Sequence, residues 1–161
     1  MATSFIVNEL GRWLRETQVG ASDADVRRAM DICVDNANLS IFNSANTNSQ
    51  YAGMGTTLVV GVFQGSRLVL GHIGDSRCYR WRSGLLVQIT RDHSLLQEQL
   101  DAGLITAEQA AVSPNRNLVT RALGVETTVA LEVNEHRVES GDIYLMCSDG
   151  LSDMVTDSAI A

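Results

Sequence analysis

Between Leu58 and Ile89 the chain carries four strand-like runs joined by very short links, and this stretch restricts the fold more than any other. Leu58-Val59-Val60-Gly61-Val62-Phe63 is followed by Gln64-Gly65-Ser66 and then by Arg67 to Ile73. Arg77 to Arg82 comes next, and Ser83-Gly84 turns into Leu85 to Ile89. Gly/Ser pairs between apolar runs are hairpin signals, and consecutive strands with short turns pair antiparallel. In the third run Arg77, Tyr79 and Trp81 fall on one face and Cys78, Arg80 and Arg82 on the other. The region 51–90 therefore reads as an antiparallel meander.

Helical spacing dominates before it. Ile6, Leu10, Trp13 and Leu14 form an apolar stripe within Ser4 to Glu16. Ser22 is placed to cap a second helix, with Asp23 and Asp25 in a first turn whose dipole favours them. Val26, Met30, Cys33 and Ala37 continue its buried stripe towards Ile41. Asn43 to Gln50 is small and polar and reads as a loop or a frayed helix end. Residues 1–50 are thus a helical pair with no catalytic constellation. After the meander, Thr90-Arg91-Asp92-His93-Ser94 caps a helix reaching about Ala102, Gly103 stops it, and Thr106 restarts a short one. His93, beside capping residues, reads as structural, with a general-acid role as the alternative. Strands are expected from Thr127 to Val133 and over Ile143 to Cys147.

Chemistry concentrates where apolar runs end in aspartate. Ile143-Tyr144-Leu145-Met146-Cys147 leads into Ser148-Asp149-Gly150, and Arg67 to Ile73 leads into Gly74-Asp75-Ser76-Arg77. Asp153 lies four residues beyond Asp149, so one helical turn puts both carboxylates on one face. Such residues make turns for local reasons alone. Three carboxylates gathered at one sheet edge would instead suit a hard cation, Mg²⁺ or Mn²⁺. The expectation is that Asp75 converges with Asp149 or Asp153, and that mutual repulsion raises the pKa of at least one of them. Gly53-Met54-Gly55 precedes a strand and not a helix, so it reads as close backbone approach or turn geometry, not as a phosphate loop.

Composition excludes several classes. With 161 residues and 45% apolar content the chain can build one substantial core. Net charge is −7 and every basic residue is arginine, without a basic run, which argues against a nucleic-acid partner. No apolar run is long enough to span a membrane, and no secretory leader is evident. Cys33, Cys78 and Cys147 are widely separated, without zinc-ligand spacing or a disulfide framework. A cytoplasmic location is expected.

Five motifs then occur in order: Gly-Met-Gly-Thr-Thr, Gly-Asp-Ser-Arg, Thr-x-Asp-His-Ser, Leu-x-Thr-Arg-Ala-Leu-Gly and Ser-Asp-Gly-Leu-x-Asp. Together they resemble the metal-dependent protein phosphatases of the PPM (PP2C) family, most of all the compact bacterial ones. The resemblance runs from about Gly53 to Asp157. It implies an α+β fold, an antiparallel β-sandwich flanked by helices, and hydrolysis of phosphoserine and phosphothreonine in proteins by metal-activated water. It also implies Mn²⁺ or Mg²⁺ as cofactor and substrates of Ser/Thr kinases as partners. By matching motif, Asp149 corresponds to a ligand of the binuclear centre, and Asp75 and Asp153 to ligands of a third, weaker metal. Residues 94–117 correspond to a flap over the site, and 118–161 to C-terminal strands and the start of a helix.

The family pattern also includes an arginine-bearing strand that grips phosphate, an Asp-Gly-x-Gly-Gly motif whose aspartate bridges two metals, and a closing Asp-Asn. The 161 residues hold no Asp-Gly-x-Gly-Gly motif, and no Asp-Asn follows Asp153. The expectation is a single incomplete domain, an internal piece truncated at both ends, retaining no catalytic residue beyond metal ligands and inactive alone. Strand edges left open would favour self-association. The competing reading is a pseudophosphatase, a non-enzymatic module that binds phosphoproteins or a regulatory partner.

Overall fold

The computed structural model describes residues 2–16, 21–115 and 118–161. It divides into two compact units, Met1–His72 with Ala122–Val138, and Ile73–Arg121 with Glu139–Ala161.

The first unit opens with helix α1, Ala2–Glu16, and helix α2, Asp23–Thr47. Ser22 caps α2 as expected: its side chain accepts from the Asp25 N–H, and the Asp25 carboxylate accepts from the Ser22 N–H. Val26, Met30, Cys33, Ala37 and Ile41 are all buried, along with Ile6 and Leu10 of α1. The expected fraying after Asn43 does not occur before Thr47. Ser44 Oγ, Asn46 Nδ2 and Thr47 Oγ1 each donate to the carbonyl four residues back, at 2.8 Å, so these polar side chains fold onto the helix. Helix α2 ends there, and a 3-10 turn follows over Ser49–Tyr51.

Strands β1 (Leu58–Gln64), β2 (Arg67–Ile73) and β5 (Glu132–Arg137) form an antiparallel sheet in the order β1-β2-β5. Six of the seven residues of the central strand β2 are buried, as its near-continuous apolar run requires. The strand expected at Thr127 to Val133 actually occupies Glu132–Arg137, in register Arg67↔Arg137 to His72↔Glu132. Glu-Val-Asn-Glu-His-Arg is polar because β5 is an edge strand, and an apolar run was the wrong signal to follow there.

The second unit holds the other antiparallel sheet. It comprises β3 (Arg77–Arg82), β4 (Leu85–Gln88) and β6 (Ile143–Cys147) in the order β4-β3-β6. Ser83 and Gly84 both take positive φ, the I′ geometry that closes a two-residue hairpin between β3 and β4. The four runs are therefore two hairpins in separate sheets, and the single meander expected over 51–90 is corrected. Strand β2 has β1 and β5 on its two edges, and β3 has β4 and β6, so no edge remains for β2 to pair with β3. Helices α3 (Leu95–Asp101) and α4 (Ala107–Ala111) carry the expected Ser94 and Thr106 caps. Two single-turn helices, α5 (Asp149–Ser152) and α6 (Asp157–Ile160), complete the described part of this unit.

Among the described residues, no helix is long and apolar enough to cross a membrane. All three cysteines are free.

Candidate metal centre

The β3–β6 ladder builds the site. Its register runs from Trp81↔Ile143 to Arg77↔Cys147, so the start of β3 lies beside the end of β6. The link bearing Asp75 leads into β3 and Asp149 follows the end of β6, so both lie at this end of the ladder. Asp75 was expected at this sheet end because it follows β2. It reaches it as the lead-in to β3, the partner of β6.

The convergence is felt electrostatically. The Asp75 carboxyl is pushed above the usual carboxylate range, first by burial and then by the negative charges of Asp149 and Asp92, against the lowering effects of its own backbone N–H and of Arg77. Asp149 opens α5, and the Asp153 N–H donates to the Asp149 carbonyl at 2.8 Å, so the two lie one helical turn apart as their spacing predicts. Both are exposed and Asp75 is half-buried.

The neighbouring carboxylates are treated differently. Asp92 is gripped by Arg77, whose Nη2 donates to Oδ2 at 2.7 Å and whose Nε reaches both oxygens at 3.1 Å. Asp142 takes a two-pronged contact from Arg82, at 2.7 Å to each oxygen, and Asp101 pairs with Arg91. Among the described residues, Asp75, Asp149 and Asp153 form no such ion pair. Carboxylate oxygens without an ion-pair partner of their own, two of them close enough for Asp149 to raise the Asp75 pKa, are donors of the kind a hard divalent cation takes.

Two residues that sequence reasoning left without a role frame this cluster. Asp92 belongs to a motif that was seen, but its partner Arg77 lies fifteen residues away and no local pattern joins them. Arg77 Nη1 also donates to the Tyr79 hydroxyl at 3.1 Å, and that hydroxyl donates to Asp157 Oδ1 at 3.0 Å. Tyr79 is fully buried, so this chain of contacts fixes α6 against β3. His93 is buried, and its Nδ1 accepts the Gly74 N–H at 3.1 Å.

In the first unit, the Gly-Met-Gly-Thr-Thr and Thr-Arg-Ala-Leu-Gly motifs meet. Thr56 and Leu123 exchange backbone hydrogen bonds at 3.1 and 2.8 Å. A Cβ on Gly55 would meet Val125 Cγ2 at 2.9 Å and the Leu123 carbonyl at 3.2 Å, so close backbone approach is what that glycine serves. Buried Asn38 of α2 accepts from the Gly124 N–H at 2.7 Å and donates to the Glu126 carbonyl at 3.0 Å. Nothing in the helix pattern distinguishes Asn38 from a surface residue.

Two antiparallel sheets with flanking helices, and carboxylates at one sheet end of a kind that suits a divalent cation, are the class of arrangement this chain presents. The family model for protein phosphatase 2C matches residues 1–160. The chain belongs to the protein phosphatase 2C family. It is 45% identical over 137 residues to the serine/threonine protein phosphatase PstP of Mycobacterium tuberculosis, covering 84% of this chain and 26% of that protein. It is 33% identical over 158 residues to the serine/threonine phosphatase stp of Listeria innocua, covering 98% of this chain and 63% of that one. A solved structure of the PstP catalytic domain with two manganese ions superposes with a TM-score of 0.81 at 37% identity, covering 99% of this chain and 64% of that chain. The α+β class expected from the sequence is thereby shown. The chain spans from about a quarter to just under two thirds of the length of these curated relatives.

Proposed function

We propose that the domain to which these residues belong is a protein serine/threonine phosphatase that uses Mn²⁺ or Mg²⁺ to hydrolyse phosphoserine and phosphothreonine in proteins phosphorylated by Ser/Thr kinases. The observation that carries this reading is the approach of Asp75 to Asp149 at one sheet end, where neither forms an ion pair among the described residues. When bound, a divalent cation supplies an activated water and neutralises phosphate charge. Asp149, Asp75 and Asp153 would hold it through carboxylate oxygens, Asp149 in the binuclear pair and the other two at a third position. Arg77 and Asp92 keep that sheet end in shape without occupying the ligands. Residues 94–117 would shape access to it.

The 161 residues lack the bridging aspartate of the family pattern, so by themselves they are inactive, while Asp75, Asp149 and Asp153 remain to take a cation. The exposed side chains of Ile143 and Met146 on edge strand β6 support pairing with another strand, and self-association of the isolated chain through that edge follows.

The test compares a complete domain containing these residues with the 161-residue chain, on a phosphothreonine peptide with millimolar Mn²⁺. The complete domain is expected to release phosphate, to stop on chelation, and to lose turnover by orders of magnitude in Asp149→Asn. Tight phosphopeptide binding without hydrolysis by the complete domain would establish the pseudophosphatase reading instead. Robust Mn²⁺-dependent turnover by the 161-residue chain would overturn the assignment of its missing ligands.

A further inference from the structure

The turn bearing Asp75 is held on both sides by two consecutive residues. On its N-terminal side, Gly74 and His93 are joined reciprocally: the Gly74 N–H donates to His93 Nδ1 at 3.1 Å, and the His93 N–H donates to the Gly74 carbonyl at 2.9 Å. On its C-terminal side, Arg77 is clamped by Asp92. Only Asp75 and Ser76 lie between the two held positions. The holding segment is itself fastened, because the Thr120 N–H donates to the His93 carbonyl at 2.8 Å and Ser94 bridges to Val119.

We propose that His93 and Asp92 are positioning residues for Asp75, and through it for a bound divalent cation; this rests on the reading of Asp75 as a metal ligand. A carboxylate in a short link would otherwise sample many orientations, and ordering it would be charged against metal binding. Clasping the residues on either side removes that freedom beforehand. Partners outside the ligand set that orient ligands in this way typically change metal affinity by about 10- to 100-fold. Gln88 Nε2 donates to Asp92 Oδ1 at 2.9 Å, so Asp92 is itself oriented before it grips Arg77.

Free Mn²⁺ measured by electron paramagnetic resonance, during titration of the whole 161-residue chain, tests this without reference to turnover. His93→Asn keeps an acceptor oxygen near the place of Nδ1, whereas His93→Gln carries it one carbon further out. His93→Gln is expected to weaken Mn²⁺ binding by about 10- to 100-fold, with His93→Asn restoring most of it and circular dichroism unchanged in both. Asp92→Asn, which loses the charged grip on Arg77, is expected to weaken binding likewise, and it decides the matter should His93→Gln not fold. Mn²⁺ binding that is lost in Asp75→Asn but equal to wild type in His93→Gln, or in Asp92→Asn, would overturn the clasp and leave the metal reading standing. Binding indifferent to Asp75→Asn, or undetectable in the wild-type chain, would overturn the metal reading and the clasp with it.

Discussion

Asp75 and Asp149 both lie just past the last pair of the β3–β6 ladder, Arg77 and Cys147, and burial first, then the charge of Asp149, raises the proton affinity of Asp75. Two like charges held at a sheet end oppose folding until something neutralises them. Asp75→Asn is therefore expected to raise the melting temperature of the metal-free chain at neutral pH by a few degrees. Millimolar Mn²⁺ should stabilise the wild type and have little effect on the variant, since a ligand of the native state stabilises in proportion to its occupancy. Calorimetry with and without Mn²⁺ checks both. A metal-free Asp75→Asn chain that melts below wild type would show the carboxylate to be a structural acceptor instead.

The Arg82–Asp142 pair predicts an acid limit. The Asp142 side chain is 1% exposed and receives Arg82, which holds its carboxyl far below the usual carboxylate range, with the Glu139 N–H and the Tyr144 hydroxyl adding to the effect. Because the folded value is depressed, the contribution to stability is fully present above the ordinary aspartate pKa of about 3.9. It is lost as pH falls from there through the folded value. Arg82→Gln should consequently unfold at a higher pH than wild type in an acid titration followed by circular dichroism. Coincident acid transitions would mean that the pair contributes nothing.

Parts of this architecture were legible because their causes are local. Ser22 and Thr106 announce helix starts through residues three positions on, Asp25 and Gln109, and both capping boxes form. The site aspartates stood out because apolar runs end in them. The division of four strands between two sheets was not legible, since the pairings β2 with β5 and β3 with β6 join residues at least sixty positions apart. Gly74-Asp75-Ser76 looks in sequence like one more hairpin link. Arg77–Asp92 and Asn38–Gly124 were hidden for the same reason: each is a single polar contact between distant residues, and periodicity carries no information about it.

Gly124 supplies a sharp stability test. Its φ is 83°, and a Cβ there would lie 2.1 Å from Ile41 Cγ2 and 3.2 Å from the Met54 carbonyl. Gly124→Ala should cost about 2–4 kcal/mol, from a strained backbone and an overpacked contact together. Ile41→Ala made in addition removes the side-chain clash but not the strain, so the double variant should lose less than the sum of the two single changes. Urea unfolding of the four chains gives the coupling. Strict additivity would show that the loop moves away from α2 to make room.

Arg77 is the counter-charge around which the acidic end of the second unit is arranged, and its removal separates pairing from bulk. Asp92 is only 10% exposed, so Arg77→Met leaves a nearly buried carboxylate without its cation and removes the donor to Tyr79. Breaking one half of such a pair costs about 3 kcal/mol, whereas removing both charges costs much less. Arg77→Met/Asp92→Asn should therefore be more stable than Arg77→Met alone, although it lacks more native groups. Tyr79→Phe, which takes the donor from Asp157 but leaves the fork on Asp92 intact, should cost about 1 kcal/mol. Denaturant midpoints at constant m-value rank the three variants. If the double variant were the least stable of them, the Asp92 charge would be satisfied by groups other than Arg77, and the arginine would matter through its packing alone.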